Sequence, residues 1–459
     1  MDESSVAAAI AVALWGFLAP LAQKAVAPSD GTAPDGGPAP VVEVVDDAED
    51  GPDETDEAVR GIGDALRFVR ERYVDEVPAD ELAAGAVAGL AAALDPWCER
   101  MTPKDVSEME REDRGSYTGI GVSVSEGPGG TVLVDWPEPG SPAFLAGVRM
   151  DDRIVAVDGA AADELGFEEA TERIGGEVGT AVEIAWERAE NGAAATARVT
   201  RAALSVPSVQ AARRIGGDVG YLFLAEFAAR TPRELRRAVR SLDPATLRGL
   251  VVDLRDDPGG DVEAAVACAS LFLPRRALVA RTRGRVPEED DHNYRSAGGE
   301  QWPGLRLALL VNGETASAAE IFAGALRDHG RAPLFGGRTF GKGLVQGFFD
   351  LEGPSGPSTL KLTTARWYTP SGAMVHGAGI EPDFPFAQTD EEAFALVRAR
   401  MLAVWPELAE PSVRDRILAV PDRALDAALA WVRSGDPPPA ARPEAPPRIP
   451  EAPRSPVRK

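Results

Sequence analysis

Residues 305–311 form an unbroken apolar run that stops at Asn312-Gly313, and the small-residue stretch Thr315-Ala-Ser-Ala-Ala-Glu-Ile321 follows at once. A short apolar run closed by a turn dipeptide reads as a buried strand, and the alanine-rich stretch reads as a helix starting near Thr315. Ser317 therefore falls where a strand hands over to a helix. Backbone N–H groups without helical partners and the positive end of the helix dipole collect there. Twenty-five residues later Lys342 lies between Gly341 and Gly343, which let the chain bend and keep bulky side chains away. Gln346 follows four positions on; in a helical segment it would share a face with Lys342. A serine needs a base to attack, and a lysine can serve when it is held neutral.

The order of neighbouring patterns extends this reading. Residues 219–224 and 250–254 are two more apolar runs, each followed by a helical pattern, at 231 onward and at 262–273. Thr231-Pro232 reads as a helix start, with Thr231 as N-cap and proline in the first turn. Strands alternating with helices give a layered α/β core. Between 115 and 204 the texture changes to short alternating strands broken by glycines, with Thr118-Gly-Ile-Gly-Val122, Pro139-Gly-Ser-Pro142 and the hairpin signal Asp158-Gly159.

Two strings, Thr315-Ala-Ser-Ala-Ala-Glu-Ile321 and Thr339-Phe-Gly-Lys-Gly-Leu-Val-Gln346, match in order and spacing those of the carboxyl-terminal processing proteases, a family of Ser-Lys peptidases that the chain resembles. The resemblance runs over about residues 57–386 and implies a multidomain α/β protein. An N-terminal helical segment would occupy 57–114, a β-rich PDZ domain 115–204, and a ClpP/crotonase-like catalytic core 205–390. A helical region at 391–434 would follow. From it Ser317 is expected as nucleophile, Lys342 as base, Gln346 as orienter of the lysine, and the backbone amides of Gly260 and Ala318 as the oxyanion hole. Arg255-Asp-Asp-Pro-Gly-Gly260 matches the family's L-R-x-N-P-G-G loop except that Asp257 replaces an asparagine. Gly259 is the substitute donor should Gly260 not serve. The PDZ resemblance makes Gly119, Ile120, Gly121 and Val122 the loop that would hold a peptide's terminal carboxylate. It implies protein or peptide substrates with free C-termini, no metal or organic cofactor, and leaves room for a homo-oligomer. Trp97-Cys98, after Leu94-Asp-Pro96, departs from the serine that the family usually carries there.

Composition removes other classes. A net charge of −25 argues against nucleic-acid binding, which needs a basic face. The three histidines, His292, His329 and His376, have no ligand spacing. Cys98 and Cys268 read as two buried thiols rather than a disulfide framework. Residues 6–22 are almost wholly apolar and are expected to be a membrane anchor or an atypical export signal, within a segment 1–27. The resemblance then implies an exported or membrane-anchored envelope protein on the periplasmic side. Residues 28–56 read as a disordered acidic linker, and 435–459 as a Pro/Arg-rich disordered tail.

Three rival readings accompany this one. Ser317 alone could be an ordinary helix cap. A Ser-His-Asp triad would need His329, near the far end of the same helix, or His376, beside which nothing orders an acid. The third is an inactive scaffold that keeps only the PDZ peptide site, and Asp257 is its one foothold.

Overall fold

The computed structural model describes residues 54–113, 116–205, 207–299, 301–353 and 356–435. The apolar segment at 6–22, the linker up to residue 53 and the tail after 435 lie outside the described residues. No helix among the described residues is long and apolar enough to cross a membrane. The described chain forms two compact units, one of residues 111–343 and 366–435, the other of 54–110 and 344–365.

The first unit opens with a small β-module. Strands Val122–Gly127, Thr131–Pro137, Arg153–Val157, Ala181–Glu187 and Ala194–Thr200 form one antiparallel sheet in that order. Ser116–Gly119 pairs separately with Ala202–Ser205. Alternate residues of the sheet, among them Val132, Val134, Ile154, Ile184 and Trp186, bury one face against helix Phe167–Ile174. Ile120 belongs to this core. Gly121, at φ +79°, has a carbonyl that accepts from Ser141 Oγ at 3.0 Å, while Gly119 pairs with Ala202.

The larger sheet follows, with strands β1 (Val209–Ile215), β2 (Val219–Leu224), β3 (Gly249–Asp253), β4 (Arg306–Val311), β5 (Leu334–Gly336) and β6 (Phe384–Pro385) in chain order. Only β1 runs antiparallel to its neighbour; β2 through β6 are parallel. Helices α1 (Thr231–Ser241), α2 (Val262–Ala269) and α3 (Ala318–Asp328) lie in the crossovers that parallel pairing requires. All of β2 and β3, and all of β4 but Arg306, are buried. Burial on both faces needs continuous apolar runs, which is why these strands stand out in the sequence.

Three C-terminal helices complete the unit: α4 (Asp390–Leu402), α5 (Pro411–Leu418) and α6 (Arg423–Ser434). Met401, Leu402, Val413 and Ile417 pack with Trp136 and Met150 of the β-module. Ala424, Ala428 and Val432 of α6 cover Val251, Leu310 and Phe335 of the sheet.

In the second unit, helices Glu54–Arg72 and Ala79–Ala92 precede strand Glu99–Met101, which pairs antiparallel with residues 359–361. Lys361 is fully buried and donates to Glu99 Oε1 at 2.7 Å. Cys98 and Cys268 are both buried and free.

Several expectations change. Residues 54–56, read as the end of the linker, already belong to a helix. The helix expected over 262–273 stops at Ala269, after which 270–273 turn back towards the 278–284 strand. Thr231 is the first helical residue rather than the N-cap, and its Oγ1 instead accepts from Ala228 N–H at 2.8 Å. Residues 344–351 form a strand, so Lys342 and Gln346 share no helical face. Val345, Phe348 and Phe349 favour that extended, sheet-paired conformation.

Candidate active site

Adjacent parallel strands β3 and β4 end side by side, with Asp253 opposite Leu310. Their C-terminal loops, 254–260 and 312–317, therefore emerge together at the edge where open α/β sheets place their ligand crevices. Thr315 Oγ1 donates to the Leu254 carbonyl at 2.8 Å, and Ala316 N–H to the Asp257 carbonyl at 2.9 Å. These bonds lace the two loops into one piece.

Ser317 sits directly before α3 with φ +53° and ψ −117°. That left-handed conformation is costly for a residue with a side chain and persists only where surrounding bonds impose it. Ala318 holds the first helical position, where the backbone N–H has no partner within the helix. Gly259, at φ +105°, lies under this turn: a Cβ there would fall 2.7 Å from both the Ala316 carbonyl and the Ala318 nitrogen. Only glycine permits that approach. The Gly259 amide donates to Asp257 Oδ1 at 2.9 Å and its carbonyl accepts from Phe227 N–H at 2.7 Å. Gly260, at φ +124°, forms an isolated bridge with Phe227.

Lys342 is 6% exposed and Ser317 3%. One carboxylate joins them. Glu320 Oε2 accepts from the backbone N–H of Ser317 and of Lys342, both at 2.9 Å, so the two nitrogens are separated by at most twice that distance. Its other oxygen accepts from Gly341 N–H at 2.8 Å and from the Thr339 hydroxyl. Burial pushes the Glu320 carboxyl up to about 7, against the downward pull of these four donors. The Lys342 carbonyl accepts from Trp367 Nε1 at 2.9 Å, so its main chain is held on both sides. A Cβ on Gly343 would lie 2.3 Å from the His376 nitrogen, which explains the glycine after the lysine.

Sequence reasoning passed over Glu320. Glu320 carried a signal: Ser317-Ala-Ala-Glu320 is the S-x-x-E string in which the fourth residue reaches back to the first amide. Nothing local marks Trp367. Gln346 lies in the second unit, buried, with Nε2 donating to Thr363 Oγ1 at 3.2 Å. His329 caps the far end of α3, where its Nε2 lies 2.7 Å from the Leu278 carbonyl.

Asp257 is fully buried, and burial, reinforced by Glu226, holds its carboxyl well above the usual range despite the Gly259 N–H. Its Oδ2 has no hydrogen-bond partner among the described residues. Asp253, four residues earlier, is also fully buried. There burial is outweighed by Arg255, with Arg400 behind it, and the carboxyl is held below its usual range.

Comparison with known proteins identifies the class. Residues 218–386 match Peptidase family S41. The chain is 33% identical over 336 residues to the carboxy-terminal-processing protease of Bartonella bacilliformis, covering 72% of this chain and 76% of the relative. It is 33% identical over 341 residues to the carboxyl-terminal-processing protease of Picosynechococcus sp., covering 70% and 81%. Among solved structures, the photosystem II D1 C-terminal processing protease aligns with a TM-score of 0.46 at 29% identity, covering 71% of this chain and 92% of that one. The protein is a serine-type peptidase. Within that class it belongs to peptidase family S41, the carboxyl-terminal-processing proteases.

Proposed function

We propose that Ser317 is the nucleophile and Lys342 its general base, and that the protein cleaves peptide bonds near substrate C-termini through an acyl-enzyme. The observation that carries this reading is the Glu320 carboxylate, which holds the amides of both residues on one oxygen. Ser317 Oγ adds to the peptide carbonyl carbon while its proton passes to the neutral Lys342 amine. The resulting oxyanion is met by the amides of Gly260 and Ala318. The C–N bond then breaks as Lys342 returns the proton to the leaving amine, leaving an ester on Ser317. Water, deprotonated by Lys342, releases the new C-terminus and restores the serine. Gly259, whose own amide is committed to Asp257, supplies the close packing that lets Gly260 serve as donor.

Asp257 acts as a neutral acid in this reading. A carboxyl buried with one N–H donor and no cation has the shape and the hydrogen-bond acceptor of the asparagine it replaces, and adds no charge beside the oxyanion.

We read residues 115–204 as a PDZ domain, with Gly119, Ile120, Gly121 and Val122 forming the carboxylate loop, and 205–390 as a ClpP/crotonase-type core. The six-stranded antiparallel module with its short helices supports the first reading, and the mostly parallel sheet with crossover helices supports the second. An envelope location, by way of residues 6–22, rests on that segment's apolar character.

The test follows cleavage of a disordered protein with an apolar C-terminus by mass spectrometry. Parent, Ser317→Ala and Lys342→Ala chains are compared. Cutting by the parent alone is expected. Full activity in Lys342→Ala would overturn the base assignment, and no cutting by any chain, with the tail peptide still bound, would favour a scaffold.

A further inference from the structure

Helix α4 belongs to the region after the S41 match, yet it reaches the loop on which the proposed chemistry depends. Asp256 stands between Arg255 and Asp257 at φ +65°, a conformation that a non-glycine residue holds only under constraint. Its carboxylate is nearly buried and supplies two such constraints. Oδ1 accepts from Asn312 Nδ2 at 2.8 Å, and Asn312 Oδ1 in turn accepts the Asp256 N–H at 3.0 Å, a reciprocal pair joining the loop to the nucleophile turn. Oδ2 is held by Arg400 of α4.

Arg400 is well placed to act on this loop. Its guanidinium is buried, lies 4.9 Å from the centre of the Phe223 ring and also faces Asp253. Two residues earlier, Arg398 projects about 200° away around the helix. It pairs with Asp151 of the β-module at 2.5 Å, and Arg416 of α5 takes the other oxygen at 2.7 Å. The helix is thus fastened on one side to the module and on the other to the loop, and has little freedom to follow Asp256 if the loop shifts. Without Arg400, Asp256 would be a buried anion beside Glu314 with no cation, and the turn would relax to bring it towards water.

We propose that Arg400 is a positioning residue for the peptidase reaction: acting through Asp256, it holds the 255–260 loop in the shape that aims the Gly260 amide at the acyl oxygen. This rests on the reading of that loop as the oxyanion site. The effect belongs in kcat, because the oxyanion forms only after the substrate has bound.

The test uses the full chain with Arg400→Met, Arg400→Lys, Asp256→Asn and the Arg400→Met/Asp256→Asn pair. Cleavage rates of the same disordered substrate are measured well below each variant's melting temperature. Arg400→Met is expected to lower kcat by about 10- to 100-fold, the scale of small displacements in a catalytic site, with KM within about twofold. Arg400→Lys should recover part of that loss, and the pair should be no slower than its slower member, since both substitutions cut one link. An Arg400→Met chain that melts earlier but keeps its kcat, or that changes KM alone, overturns the proposal. If that variant does not fold, unchanged kcat in folded Arg400→Lys and Asp256→Asn does the same. Ser317→Ala is run beside them: residual cutting at the parental rate would remove the catalytic assignment itself, whereas an inactive Ser317→Ala with a fully active Arg400→Met removes this inference alone.

Discussion

At the strand end of the 253–260 loop, Asp253 gives both oxygens to Arg255, at 2.9 and 2.6 Å, and takes the Tyr221 hydroxyl at 2.8 Å. The same guanidinium reaches Asp422 of the α5–α6 link at 3.0 and 2.8 Å. At the glycine end, Asp257 is equally buried but, among the described residues, meets one backbone N–H and no cation. One carboxyl is held below its ordinary range and the other is pushed well above it, although only Leu254, Arg255 and Asp256 separate them. Burial is the same for both, so a cation within reach decides the outcome. Ions lock the strand end of the loop to the sheet and to the start of α6.

The strongest way to break this comparison is Arg255→Met, which strands Asp253 and Asp422 without their cation. A loss of about 3–5 kcal/mol is expected, the usual cost of leaving a buried charge uncompensated. Urea denaturation measures it, and a loss under about 1 kcal/mol would mean that the ion cluster does not hold the loop.

Gly259→Ala probes the neutral end. The new methyl group meets the 316–318 backbone at φ +105°, so roughly 1–3 kcal/mol of strain is expected. Because that strain displaces Ser317 and the Ala318 amide, cleavage should fall by about 100-fold, more than stability alone explains. Parental activity in a folded Gly259→Ala chain would contradict the packing described.

Asp257→Asn sharpens the contrast through pH. The folded carboxyl titrates above its unfolded value, so its contribution to stability is complete below the ordinary carboxyl range and is lost as pH rises through the folded value. The parent should therefore lose stability and activity as pH rises above the ordinary carboxyl range, whereas Asp257→Asn should not. Below that range the two should differ by about 1 kcal/mol or less, since the Gly259 hydrogen bond is kept. Parallel pH profiles for the two chains above the ordinary carboxyl range would show that Asp257 is not the titrating group.

The smallest effect is expected at Asp135 in the β-module, bonded to Ser125 at 2.7 Å and pushed up to about 6 by burial. Its contribution should fade as pH rises from about 4 through 6, and Asp135→Asn should flatten that slope in a melting series. A parent whose melting temperature is flat across this range would place Asp135 with the charged group rather than the neutral one.

Much of this architecture is written locally. The runs that became β2, β3 and β4 announce themselves because both faces of a parallel strand are buried, and Asn312-Gly313 marks where β4 must stop. Ser317 at the strand-to-helix turn and Lys342 between glycines are legible for the same reason. Partners are less legible. The helical face that Lys342 and Gln346 would have shared is replaced by a strand, and Glu320, twenty-two residues upstream, which takes the lysine's amide, was overlooked. Arg400 lies 144 residues from Asp256, and no periodicity connects them.

The sequence by itself determined the α/β alternation, the strand-to-helix position of Ser317, and the two strings that mark an S41 peptidase. These depend on period, turn chemistry and residue identity, which act over a few positions along the chain. Only the tertiary structure decided that Glu320 gathers the two amides, that the Asp257 carboxyl is pushed up while that of Asp253 is held down, and that α4 returns to grip the loop at Asp256. Each of those depends on which groups share a water-excluded volume, and chain closure over many residues brings them there without leaving a local mark.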